Sequence, residues 1–298
     1  MSYMKQDFDS LINRTPLSEP LERRDFLKTT LGAGFAAAVL PVMAQTVIKT
    51  DSVGLTAGQI TIDVDGQSVP VYRAQPAGKT NLPVILVVSE IFGVHEHIAD
   101  VARRFAKQGY LALAPELFVR QGDPRVYPTL SELIEKIINR VPDAKVMGDL
   151  DACVAWAGTH GGNIDKLGVT GFCWGGRIVW LYAAHNPNVK AAVAWYGRLV
   201  ASTAGNNPAL TPRQPVDIAA HLKVPVLGLY GGKDGGIGLD TIEQMQAMLA
   251  KGRSNSEFVV YPDAGHAFYA DYRPSYMETA ARDGWQRCLS HFEAHGVV

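Results

Sequence analysis

The spacing of apolar positions changes several times along the chain, and each change marks an element. Between Gly58 and Gln75, Ile60, Ile62 and Val64 and then Val69 and Val71 alternate with polar residues on either side of Asp65-Gly66. This predicts a β-hairpin with a two-residue turn. Pro83 to Val88 is a continuous apolar run of strand length, the pattern of a central strand covered on both faces. Helical spacing follows at Ile98, Val101, Ala102 and Phe105, with Gly109 as a stop, and then a strand over 110–114. Residues 118–142 are richer in charge, glycine and proline and read as a loop with one short helix over the carboxyl ends of the strands. A long helix over 143–159, a strand over 166–170 and a helix over 177–184 come next. A strand over 189–196 leads to a polar excursion over 201–215, a candidate lid. The remainder reads as a strand over 224–230, a helix opened by the capping-box spacing Asp240 to Glu243, a strand over 257–261 and a closing helix over 276–295. This alternation predicts an α/β fold, with a mostly parallel central sheet flanked by helices on both faces.

Gly171-Phe172-Cys173-Trp174-Gly175-Gly176 joins the strand ending at Thr170 to the next helix. A strand that turns this sharply into a helix lifts the side chain at its tip clear of the sheet, and the flanking glycines let neighbouring backbone pass close by. The form is that of a nucleophile elbow with Cys173 in place of serine. A buried structural cysteine beside a glycine turn is the competing reading. Two further groups end strands downstream, Asp234 in Gly231-Gly232-Lys233-Asp234 and His266 in Pro262-Asp263-Ala264-Gly265-His266. Nucleophile, acid and histidine in that chain order is the order of the α/β-hydrolase fold. The chemistry assigns the roles: a thiolate attacks, a histidine takes its proton, and an aspartate fixes the histidine tautomer. Donors for a developing oxyanion are expected from the backbone N–H groups of Trp174 and Ile91.

Net charge is −1 over 298 residues, which leaves no electrostatic footprint for nucleic acid. Three cysteines are too few for a disulfide framework; at most Cys153 and Cys288 could pair and leave Cys173 free. Residues 1–44 are expected to be an export signal. Arg23-Arg24-Asp25-Phe26-Leu27-Lys28 resembles the twin-arginine pattern, a Gly/Ala-rich apolar segment over 31–42 follows, and Val42-Met43-Ala44 offers a cleavage site before Gln45. About a dozen apolar residues are too few to span a bilayer. The expected partner is therefore the twin-arginine export machinery, the location periplasmic or otherwise exported, and the mature protein free of stable membrane insertion. Residues 45–57 read as a linker and 58–298 as the folded domain.

Glu90-Ile91-Phe92-Gly93, the Cys173 elbow, Asp234 and Gly265-His266-Ala267-Phe268 together resemble the dienelactone hydrolase family, over a stretch running from about Gly58 to the C-terminus. The resemblance implies hydrolysis of an enol-lactone or related ester through a thioester acyl-enzyme, with no cofactor. It also implies that Glu90 holds the resting thiol and moves when substrate binds. Family members that open dienelactones clamp the substrate carboxylate with arginines, one of them four residues after the catalytic histidine; here that position is Ala270. Arg120, Arg125, Tyr127 and Arg273 remain as candidate substrate-binding residues. His95-Glu96-His97 lacks the spacing of two ligands on one helix face, so no metal is expected. Two other readings stay open: a general carboxylesterase or thioesterase with a neutral substrate, and a non-catalytic binding or redox-sensing protein on the same fold.

Overall fold

A computed structural model describes residues 47–201 and 207–298. The expected export signal lies outside the described residues, as does part of the candidate lid. Eight strands form one sheet: β1 (Leu55–Val64), β2 (Gln67–Pro76), β3 (Leu82–Val88), β4 (Leu111–Pro115), β5 (Gly162–Phe172), β6 (Val189–Trp195), β7 (Val226–Gly231) and β8 (Glu257–Tyr261). Their spatial order is β1-β2-β4-β3-β5-β6-β7-β8. The pairs β1–β2 and β2–β4 are antiparallel and every other pair is parallel. The hairpin closes on Asp65 and Gly66, at φ 55° and 78°, the left-handed pair that a two-residue turn matched to strand twist requires.

The long helices are α1 (Glu96–Lys107), α2 (Leu130–Lys136), α3 (Asp143–Thr159), α4 (Trp174–His185), α6 (Leu239–Leu249) and α7 (Glu278–Ala294), with the single turn α5 (Pro215–Ile218) between β6 and β7. On one face of the sheet α1 meets α7, where Phe105 packs against Trp285 and Phe292. The other face carries α3 and α4, linked by the Tyr182 hydroxyl donating to Asp151 at 2.9 Å. Residues 84–88 of β3 are wholly buried, which accounts for their unbroken apolar run.

Two expectations are corrected, and the open pairing of Cys153 and Cys288 is answered. The helix assigned to the Asp240 capping box starts two residues earlier, with Gly238 rather than Asp240 as its N-cap and no side-chain cap bond. The elbow strand begins at Gly162, because Leu82 and Pro83 of β3 pair with Gly162 and Asn163 ahead of a register shift. Cys153 and Cys288 are both free and buried, one on α3 and the other on α7. Burial pushes both thiols well above their ordinary range. Part of the stretch read as a linker is tied down: the Thr50 amide donates to Asp100 at 2.5 Å, and Arg103 Nε donates to the Thr50 carbonyl at 2.7 Å. No helix among the described residues is long and apolar enough to cross a membrane.

Candidate active site

Chain direction along the sheet reverses at β3, which sits between β4 and β5. In an open α/β sheet the crevice at such a reversal, beyond the carboxyl ends of the strands, is where ligands bind. Glu90 follows β3 and Cys173 follows β5, so the two flank this crevice.

Cys173 has φ 55° and ψ −113°, a conformation that L-residues rarely adopt, and serves as N-cap of α4. Its amide donates to the Trp195 carbonyl at 3.0 Å. The glycines around it are required by contact. A Cβ on Gly171 would lie 2.7 Å from the Gly175 carbonyl oxygen, and one on Gly176 would lie 2.5 Å from that of Trp195. The first turn of α4 is anchored by Arg177, whose guanidinium donates twice to Asp143 at 2.8 Å, to Gln214 Oε1 at 2.8 Å and to the Arg213 carbonyl at 2.8 Å. This buried fork ties the elbow helix to the start of α3 and to the chain ahead of α5.

Asp234 follows β7 and is buried, and its Oδ2 lies 2.7 Å from His266 Nδ1, while its Oδ1 accepts the Gly236 amide at 2.8 Å. Burial alone would depress His266. Its interactions with Cys173 and Asp234, the latter through a hydrogen bond, outweigh burial and raise the imidazole to about 10. Of the three residues expected together, Asp234 and His266 are in direct contact, and Cys173 lies within interaction range of the His266 imidazole. The N–H groups of Ile91 and Trp174 make no hydrogen bond among the described residues, which leaves both as available donors.

Glu90 is fully buried, and the structure places it differently from the expected thiol contact. Its Oε2 accepts from the Tyr272 hydroxyl at 2.6 Å and lies 3.3 Å from His95 Nε2 and 3.4 Å from Arg273. Burial would raise its pKa; the Arg273 charge and the His95 contact more than reverse this and hold Glu90 well below the usual carboxylate range. His95 is pushed down by burial, against the opposing pull of Glu90. Its ring stacks on His97, which lies 3.1 Å from Asp271, so both histidines of the rejected metal pattern have carboxylate partners.

Of the candidate substrate residues, Arg273 stands at the site. Its Nε donates to the Tyr272 hydroxyl at 2.9 Å, and its guanidinium lies over the Phe92 ring at 4.9 Å. Arg120 is committed elsewhere: it donates bidentately to Asp149 at 2.7 and 2.8 Å and so fastens the covering loop to α3. Arg125 bonds Asp123, its close neighbour in the chain, while Tyr127 is half-buried against the core. Tyr272, His95 and Arg177 were not singled out from the sequence as working partners; they come from distant segments, and no local motif announces them.

The fold and this strand-end arrangement define an α/β-hydrolase of the class that cleaves esters and lactones. Residues 69–296 match the dienelactone hydrolase family, and the chain belongs to it. It is 54% identical, over the full length of both chains, to a Methylorubrum extorquens protein named "Putative carboxymethylenebutenolidase". It is 49% identical to a protein of the same name from Escherichia coli K12, covering 91% of this chain and 98% of the other. A Klebsiella pneumoniae crystal structure described as a "Putative Dienelactone Hydrolase" is similar at 53% identity and TM-score 0.77, covering 80% of this chain and 98% of that one.

Proposed function

We propose that the protein hydrolyses an enol-lactone or related carboxylic ester through a thioester on Cys173. The observation that carries this reading is His266, held by Asp234 at 2.7 Å and electrostatically coupled to Cys173. The Cys173 sulfur attacks the ester carbonyl while the oxyanion forms against the Ile91 and Trp174 amides, each such donor worth about 3 kcal/mol of transition-state stabilisation. His266, protonated beside the charged sulfur, gives its proton to the departing alkoxide or enolate. Once the sulfur is acylated its charge is gone, and burial then favours the neutral imidazole, so His266 becomes a base for the water that splits the thioester.

For the substrate carboxylate, Arg273 is the cation the site offers beside Glu90. A dienelactone carboxylate would compete with Glu90 for it. A neutral-ester reading is favoured by one observation: Arg273 already has Glu90 as a counter-ion and Ala270 stands where the family's clamp arginine is expected. Comparing a carboxylate-bearing lactone with its methyl ester separates the two, and faster turnover of the methyl ester would reject the clamp. Cys173→Ala and His266→Ala should each abolish turnover while preserving the circular dichroism spectrum; activity kept in either variant would reject the thioester mechanism. The export reading rests on Arg23-Arg24 and predicts that replacing both by lysine leaves the precursor in the cytoplasmic fraction. Normal export of that variant would reject it.

A further inference from the structure

Tyr196 directly follows β6 and is the feature of the site that the triad does not explain. It is completely buried, and its hydroxyl has no hydrogen-bond partner among the described residues. Its backbone sits at φ 39°, in the left-handed region that a bulky residue avoids. Two fixtures hold it there. The Tyr196 amide donates to the Leu229 carbonyl at 2.8 Å, and Gly197 passes so close to Gly176 that a side chain on either glycine would collide with the other's backbone. The strained turn brings the ring edge-on to His266, with centroids 5.2 Å apart. Strain and an unpartnered buried hydroxyl each cost stability, and both are retained here next to the reacting groups.

Among the other buried polar atoms of this neighbourhood that lack partners among the described residues are Glu90 Oε1 and His266 Nε2. Burial, together with the nearby Glu90 carboxylate, keeps the Tyr196 phenol protonated and therefore a donor. A phenol donor, a carboxylate acceptor and an imidazole acceptor, each buried and without a partner among the described residues, are the kinds of group a single water molecule needs. We propose that the Tyr196 hydroxyl holds the hydrolytic water of the second half-reaction, donating to its oxygen while His266 Nε2 and Glu90 Oε1 accept its hydrogens. The inference rests on the thioester reading.

The step balances on these groups. The water oxygen bonds to the thioester carbon, one of its protons passes to His266 Nε2, and the carbonyl pair moves onto the oxyanion. Collapse of that oxyanion breaks the carbon–sulfur bond. The acid product leaves, and the sulfur electron pair remains on Cys173 beside the His266 imidazolium. Acylation involves no water and places no demand on Tyr196.

The test is Tyr196→Phe, with p-nitrophenyl acetate as substrate and quenched-flow mass spectrometry of the Cys173 peptide to read gain and loss of the acetyl group separately. Gain should stay within about twofold of wild type, loss should slow about tenfold, as for a lost hydrogen bond in a transition state, and the acetyl-enzyme should accumulate. Because the hydroxyl removed has no protein partner, the melting temperature should hold or rise; a fall would mean a structural role and overturn the proposal. Gain and loss slowed equally would mean that Tyr196 acts on the sulfur, and unchanged loss would mean that it does nothing to the water; either result overturns the proposal with the thioester mechanism standing. Turnover by wild type with no acetyl ever found on Cys173 would instead overturn the thioester reading itself, and this proposal with it.

Discussion

At the scale of single residues, the site is a contest between burial and charge. His266 illustrates it: desolvation pulls its pKa down, and its interactions with Cys173 and Asp234 win, raising it to about 10. Removing one of the two partners should show which part of the support each supplies. In Cys173→Ala the imidazole keeps Asp234 at 2.7 Å but loses the sulfur, so its titration, followed by proton NMR of the ring, should move to distinctly lower pH than in wild type. An unchanged midpoint would mean that Cys173 carries no charge beside it. Cys173, Asp234 and His266 stood out in the sequence because each lies in a glycine-containing turn within a few residues of a strand end, where the local pattern reports position. Glu90 was legible as a site residue, but its partners were not. Tyr272 lies 182 residues away from it, and only the closure of the sheet brings the two together. For the same reason the sequence did not anticipate that Tyr272 and Arg273 would take up Glu90 Oε2, while its Oε1 is left without a partner among the described residues.

At the scale of elements, the precision of the elbow depends on where α4 begins. Arg177 sets that point through a fork to Asp143 with both side chains largely buried. Arg177→Ala would strand the Asp143 carboxylate, and loss of one partner of a buried pair costs about 3–5 kcal/mol. Chemical denaturation should show that loss, and kcat should fall with it as Cys173 shifts relative to His266; a stability change near zero would show that solvent readily replaces the guanidinium. A contrasting change tests whether α3 is limited by backbone freedom. Gly148 is interior to α3, and a Cβ there meets nothing within 4 Å. Gly148→Ala should therefore stabilise by about 0.5–1 kcal/mol, with activity unchanged. The strands, α1, α3 and α7 were readable from periodicity because each buries a regular face. The start of α6 was misread because Gly238 supplies the N-cap conformation by backbone freedom alone, so the Asp240 to Glu243 spacing, although present, is not used as a cap.

At the scale of the whole molecule, buried titratable groups on the sheet and its helices respond to pH in opposite directions. His291 on α7, against the Pro225 carbonyl, is lowered to about 4 because burial disfavours its charged form. The unfolded chain binds a proton there near pH 6.5 that the folded chain refuses, so stability falls as pH drops from about 6.5 towards 4. Glu90 and Asp271, both held below their ordinary range, extend the loss to still lower pH, since their folded-state advantage is present above the ordinary carboxylate pKa and disappears on protonation. His266 acts the other way. Its raised pKa stabilises the fold fully below about 6.5, and that contribution is lost as pH climbs towards 10. Urea midpoints measured across pH should therefore form a dome with its top near neutrality. The two flanks can be assigned separately: His291→Gln should flatten the limb between pH 6.5 and 4, and Cys173→Ala should flatten the alkaline limb. Should the acid limb keep its full slope without His291, burial of that imidazole is not what the folded protein resists, and the loss belongs to His95 and the carboxylates around Arg273.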